Sequence, residues 1–376
     1  MIGDAPAAGF QTLGQGTAQR MARQAAERGQ LGRTLLVHGP AGAGKDAFVD
    51  DLLALLFCEE PEQASRPCNA CRGCRDARAR SHPDLVVGSP ELWREARSAG
   101  ESIVAAARRW LLAAAGAPIV ADRRVVLIDG VDRANEQAQN ALLKVLEEPT
   151  DRHTFVLVAD EPQRVLPTIR SRSRPLRIGP VPRADLVAHL MDHMRLPADL
   201  AEVVTQMSGG LVGTAVGFVE QSARLEWRRR VARELLALLE RGRADRFAAV
   251  RDLLDEAARV ASPAPFEPAE DVEGDAPRTP ASAQREAAVL VVDAWLSLTR
   301  DLMVASAGRA ELAPSRELGP ELERLAAQVG PGPLREMIGL LERIHEALRQ
   351  NAAPRLALEA AMLTWPFVSP PIPTAR

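Results

Sequence analysis

The chain predicts an α/β domain built on a parallel sheet, followed by an all-α region. Three observations carry that reading. Short, wholly apolar runs alternate with helical stretches through the first half, the pattern of strands covered on both faces. One of these runs leads directly into a glycine-rich loop, GPAGAGKD at 39–46. After about Pro182 the strand signals stop and only helical periodicity continues.

Taken in order, TLLVHG (34–39) reads as a buried strand entering the loop. Residues 45–56 then follow helical spacing, with Phe48, Leu52, Leu55 and Leu56 on or near one face. DLVVG (84–88) is a second strand and 102–115 an Ala/Leu-rich helix. RRVVLIDG (123–130) is the clearest strand, 135–148 a strong helix closed by Pro149, TFVLVA (154–159) another strand and PLRI (175–178) one more. Helices are expected at 183–194 and 198–207, then a break at Gly209 and Gly210. Further helices follow at 226–241, 243–260, 285–306, 321–329, 334–349 and 354–362. The Pro- and acid-rich stretch 262–282 lacks periodicity and reads as a disordered insertion, and the tail SPPIPTAR as frayed.

The chain has 376 residues and a formal net charge of −3, too near neutrality to hold DNA by overall charge. No basic segment leads an apolar one at the N-terminus and no long apolar run occurs, so no membrane span is expected and the cytoplasm is the default. All four cysteines fall at Cys58, Cys68, Cys71 and Cys74. In a cytoplasmic chain that clustering argues for a metal rather than disulfides.

The loop at 39–46 fits a phosphate-binding loop until its last residue. Backbone N–H groups around Gly39, Gly42 and Gly44 would cradle phosphates, and Lys45 would reach them. The hydroxyl that holds Mg²⁺ in such loops is replaced by Asp46, a carboxylate beside an anionic ligand. A carboxylate still binds Mg²⁺, so ATP with Mg²⁺ stays an open cofactor. Asp129, at the end of its apolar strand, would sit across from the loop and help hold the metal; its plainer reading is a strand-end cap. The next residue, where a water-activating acid is expected, is Gly130. The C-x9-C-x2-C-x2-C spacing places three thiolates on a tight loop and one at the end of the preceding helix. It suits a closed, structural Zn²⁺ with Zn–S bonds of about 2.3 Å, against the plainer reading of four unrelated thiols. Arg72, Arg75, Arg78 and Arg80 around it would offset thiolate charge, touch an anionic surface, or form a solvated basic face.

These residues bring a family into view. NALLKVLEEP (140–149) after the Asp129 strand resembles the signature of bacterial clamp-loader subunits of the AAA+ class. So do SRS (171–173), HPDL (82–85), the four-cysteine insertion and NAAPRLALE (351–359). The resemblance implies an AAA+ P-loop core with a four-cysteine zinc module (1–180), a helical lid (181–221) and a helical collar domain (222–376). Within the family, Asp46, Gly130 and Thr214, at the place of the sensor 2 arginine, depart from the gamma/tau motors and point to the delta-prime type. Arg172 is retained, and the resemblance implies an arginine finger offered in trans to a neighbour's ATP. Implied partners are the gamma/tau and delta subunits, with the sliding clamp and primer-template DNA reached through the complex. Two alternatives stay open: a gamma/tau-like ATPase using Asp46 for Mg²⁺, and a zinc-containing AAA+ DNA-repair ATPase.

Overall fold

Five strands form one sheet in the order β2-β3-β4-β1-β5, with every neighbouring pair parallel. They are β1 (Thr34–His38), β2 (Leu85–Gly88), β3 (Arg124–Ile128), β4 (His153–Ala159) and β5 (Arg174–Arg177). The computed structural model describes residues 9–28, 33–98, 100–114, 116–147, 152–261, 281–313, 318–349 and 352–369. The expected insertion therefore falls outside the described residues over 262–280, as do Glu148 and Pro149, Asn351 and the tail beyond Ser369.

Alternation along the strands explains why they read as continuous apolar runs. Leu35, Val37, Val125, Leu127, Val156 and Val158 face a cluster containing Phe48, Leu52 and Leu53 from helix Lys45–Phe57 and Ala18 and Ala22 from helix Gly16–Glu27. Leu36, Val126, Ile128, Phe155 and Leu157 face the opposite cluster, with Leu111 from helix Ile103–Ala114 and Leu142 from helix Glu136–Glu147. A strand buried on both faces has no polar side to reveal its period. The edge strand β5, RPLR, carries Pro175 and two arginines, which discourage further strand pairing.

The chain divides into two units, Met1–Val216 and Gly217–Arg376. The second is helical throughout its described residues, in Ser222–Ala237, Arg243–Ala261, Ala281–Ser306, Gly319–Val329, Pro331–Arg349 and Pro354–Thr364. Its core holds Trp295 and Trp365 edge to face at 5.3 Å, with Trp365 Nε1 donating to the Leu235 carbonyl at 3.1 Å. The buried Arg246 guanidinium donates to carbonyls of Leu238, Leu239, Arg241, Trp365 and Pro366, binding the chain's last described turn to the 238–241 corner. Among the described residues no helix is long and apolar enough to cross a membrane.

The expected elements are present, with three kinds of difference. The helix expected at 226–241 lies at Ser222–Ala237 and continues as a 3₁₀ turn over Leu238–Glu240, and the one expected at 285–306 begins at Ala281. Short helices at Arg72–Arg78, Pro90–Glu95 and Pro167–Ser171 go unheralded, because five to seven residues are too few to display a helical stripe. Helices Gly16–Glu27 and Val212–Glu220 were also missed, the first because it buries only alanines and the second because two glycines interrupt it.

The HPDL segment has a plain structural task. Asp84, fully buried, accepts backbone N–H bonds from Ile119, Val120 (2.8 Å) and Ala121 (2.7 Å), fixing the loop that enters β3. Burial opposes its charge, but these three donors hold its carboxyl below the usual range. His82 stacks on Phe57 with ring centroids 3.8 Å apart, and its Nδ1 accepts from Asp84 N at 3.1 Å. An Asp84→Ala variant strands these donors and is expected to lose about 2–3 kcal/mol in urea unfolding. A loss under ~0.5 kcal/mol would mean the loop holds itself.

Candidate nucleotide site and cysteine centre

Because the sheet is parallel, β1, β3 and β4 all end at one edge, and the residues that follow them meet there: Gly39, Asp129 and Asp160. The glycine-rich loop turns from β1 into helix Lys45–Phe57, whose first residue, Lys45, is buried. Its ammonium lies 2.5 Å from Asp160 Oδ1 and donates to the Gly39 and Pro40 carbonyls, each at 2.9 Å. Three donors thus have three acceptors within the chain. An incoming phosphate has to displace Asp160 to reach this lysine.

The other charged residues at this edge are also paired. Asp46 is mostly exposed and meets Arg80 at 3.2 Å, while Arg80 also holds Asp50 at 3.0 Å. Asp129 lies 3.6 Å from Arg133, which grips Glu91 with two hydrogen bonds of 3.1 and 3.2 Å. Burial pushes the Asp129 carboxyl up, and nearby Arg133 only partly offsets it. Asp132, buried, accepts the backbone N–H groups of Asp160 (3.1 Å) and Glu161 (2.9 Å) and so sets where Asp160 stands. Its carboxyl is raised by burial and then by Asp160.

Two glycines are required here. Gly130 has φ +65°, a left-handed backbone that favours glycine, and the mobile guanidinium end of Arg133 lies against it. Gly42 has φ +76°, and a Cβ there would fall 2.1 Å from Thr214 Oγ1. The Gly213 and Thr214 N–H groups donate to the Gly42 carbonyl at 2.8 and 3.3 Å, so the 212–214 turn packs directly on the loop. Thr214 therefore lies over the glycine loop.

Arg172 lies apart from this constellation. It ends helix Pro167–Ser171, is exposed, and donates to the Thr168 carbonyl at 3.2 Å. The β5 strand that follows pairs Arg174 with Leu35 and Arg177 with His38. Arg172 is thus at the end of the sheet opposite the chain's own loop, with roughly 10 Å of strand between. Ser173 is buried and donates to the Ile169 carbonyl at 2.7 Å, so a hydroxyl is accommodated without moving Arg172.

The four cysteines converge. Their sulfurs all lie within 4.8 Å of one another, with Cys68 and Cys74 Sγ 4.0 Å apart. Tetrahedral Zn–S bonds of about 2.3 Å need sulfur separations of about 3.8 Å, so the set fits a structural Zn²⁺. Amides of Cys68, Cys71 and Cys74 donate to the sulfurs of Cys58, Cys68 and Cys71, at 3.3, 3.4 and 3.3 Å. Cys58 caps the end of helix Lys45–Phe57; Cys71 caps the start of helix Arg72–Arg78 and Cys74 lies within it. The expected tight loop is therefore a loop and a helical turn. Of the four basic residues here, Arg72, Arg75 and Arg80 are exposed, as a solvated face requires, whereas half-buried Arg78 pairs with buried Asp51 at 2.6 Å. Arg72 pairs with Asp76 along its own helix, and Arg80 with Asp46 and Asp50.

The sequence reading missed Asp160, Asp132 and Arg133. Asp160 carried the same signal that singled out Asp129, an Asp ending a wholly apolar strand. Arg133 gave none, since its partner Glu91 lies 42 residues away in the sequence.

A family model described as DNA polymerase III, delta subunit matches residues 14–182. A DNA polymerase III subunit delta′ from Pseudomonas aeruginosa is 33% identical over 59% of this chain and 66% of its own length. The Escherichia coli subunit delta′ is 31% identical over 51% of this chain and 56% of its own length. The chain is a relative of the DNA polymerase III delta-prime subunits. Its match thus spans between about half and two thirds of these relatives. This delta-prime relative is also 30% identical, over 46% of its length and 29% of the other's, to a gamma/tau subunit from Mycobacterium tuberculosis. A solved gamma subunit-related protein from Thermotoga maritima superposes with a TM-score of 0.41 at 16% identity, covering 93% and 98% of the two chains.

The cysteine centre makes one prediction about pH. Burial pushes the Cys58 and Cys74 thiols up. Burial acts on Cys68 in the same direction, but amide donors from Cys71 and Ala70 bring it down to about 7. At pH 7 the metal-free fold therefore carries protons on at least Cys58 and Cys74, and Zn²⁺ must release them. Zinc affinity is expected to fall as pH drops. Calorimetry in buffers of different ionisation heat should register proton release at pH 7, and none would mean that these thiols are not ligands.

Proposed function

We propose that this chain is the delta-prime-type member of an AAA+ clamp loader. It contributes Arg172 to the ATP site of a neighbouring subunit and turns over little or no ATP itself. In this reading residues 181–221 serve as a lid, residues 222–376 as the collar through which the ring of subunits closes, and Cys58, Cys68, Cys71 and Cys74 hold a structural Zn²⁺. The neighbours are gamma/tau and delta subunits, the assembly loads a sliding clamp onto primer-template DNA, and it does so in the cytoplasm.

The observation that carries the proposal is the separation of two charges. Lys45, the group that would meet this chain's own nucleotide, is neutralised by Asp160, whereas exposed Arg172 stands at the far end of the sheet. A guanidinium there has no path to the chain's own loop, but it can approach a phosphoryl group presented by another subunit. Such fingers contribute about 10³–10⁵ in rate in well-studied GTPases. Gly130 supplies no side chain after Asp129 to orient water.

The gamma/tau-like reading draws on the 30% identity to gamma/tau subunits and on the intact Gly39, Gly42, Gly44 and Lys45. In it Asp46 or Asp129 would hold Mg²⁺. Arg80 and Arg133 compete for both carboxylates, which favours the non-hydrolysing reading.

Two measurements test the proposal. Arg172→Ala is expected to cut the DNA-stimulated ATPase of the reconstituted complex by about 10³ while the isolated chain keeps its unfolding midpoint. An unchanged complex ATPase sinks the finger role. The isolated chain is expected to bind ATP weakly, and Asp160→Asn to tighten that binding by freeing Lys45, as read by fluorescent-nucleotide titration. Rapid turnover by the isolated parent chain overturns the non-hydrolysing assignment.

A further inference from the structure

We infer that the cysteine centre acts as a staple for residues 9–15, holding them as a strap from the metal loop to the end of β5. The strap contains no helix or strand, yet its backbone is tied at successive points. Gly9 N donates to the Pro67 carbonyl at 2.8 Å, and the Gly9 carbonyl accepts from Asn69 Nδ2 at 2.8 Å. Gln11 N and Thr12 N donate to Asp51 at 2.9 and 2.7 Å, joined by the Thr12 hydroxyl. At the far end, the Gln15 side chain donates to the Gly179 carbonyl at 2.7 Å and accepts from Gly179 N at 3.1 Å. Between these ties Phe10 packs against Phe48, with ring centroids 5.8 Å apart.

The tie points depend on the ligand loop. Asn69 lies between Cys68 and Cys71, is almost fully buried, and holds a left-handed φ of +59°. Its Oδ1 accepts from Arg78 Nε and Nη2 at 3.0 and 2.7 Å, and the same Nη2 reaches Asp51 at 2.6 Å. Arg78 belongs to the helix that carries Cys74, and Asp51 to the helix that ends at Cys58. A metal joining Cys58 to Cys74 therefore fixes the distance between Arg78 and Asp51, the carboxylate on which Gln11 and Thr12 close. Without it, the thiols share no common partner, and the two helices are free to separate locally. The strap passes close to residues 179–181: a Cβ on Gly14 would fall 2.4 Å from Val181. The metal thus governs a segment that borders the strand next to β1.

The test is hydrogen exchange on the full chain, loaded with Zn²⁺ and then stripped by a strong chelator. Amides of Gln11 and Thr12 are expected to exchange at least ~10-fold faster after stripping, while those of Val125–Ile128 keep their protection. Unchanged Gln11 and Thr12 rates after confirmed metal loss overturn the inference. If stripping unfolds the whole chain, the zinc-loaded Asn69→Gly variant decides. Glycine keeps the left-handed backbone, so zinc content should stay at the parent's value. Loss of the side chain should still speed Gln11 and Thr12 exchange by about 10-fold. Parent-like exchange in that variant refutes the staple.

Discussion

Parallel pairing of all five strands is the constraint from which the candidate site follows. It delivers the ends of β1, β3 and β4 to one edge, so Lys45, Asp129 and Asp160 meet whether or not a ligand joins them. A buried ammonium in that position must be paired, because an isolated charge out of water costs several kcal/mol. In this chain the partner is Asp160, itself set by two backbone donors into buried Asp132. The edge that would receive a nucleotide's negative charge already contains its own.

The same balance recurs around it. Arg80 answers Asp46 and Asp50, and Arg133 answers Asp129 and Glu91. These pairs are partly exposed, and each contributes little to stability after screening. They engage Asp46 and Asp129, two of the carboxylates at this edge. Because Arg80 follows the cysteine helix, the cysteine cluster and the loop helix share this charge pattern as well as the Arg78–Asp51 contact. Arg172 lies outside this edge because helix Pro167–Ser171 presents it at the opposite end of the sheet.

Much of this was legible without coordinates. Wholly apolar runs gave the strands, since burial on both faces leaves no polar alternation, and the glycine loop between a strand and a helix marked the edge where ligands would meet. The cysteine spacing announced a cluster able to hold a metal ion, and the four sulfurs do converge. Short helices such as Pro167–Ser171 and Arg72–Arg78 were not legible, being too brief for periodicity. The contacts of Asp160 with Lys45 and of Arg133 with Glu91 were not legible for a different reason: each joins residues distant in sequence.

The amino-acid sequence alone determined which side chains stand at these positions: a carboxylate rather than a hydroxyl at Asp46, none at Gly130 and a hydroxyl at Thr214. A missing side chain is a local fact, and no folding can restore it. Tertiary structure decided what took the vacant places. Asp160 reached Lys45 and Thr214 settled over Gly42, because the parallel sheet and its crossovers bring together residues far apart in sequence, while Arg133 folds back onto Gly130 within its own short turn. Charge pairing and close packing act on distances in space, which the order of residues does not contain.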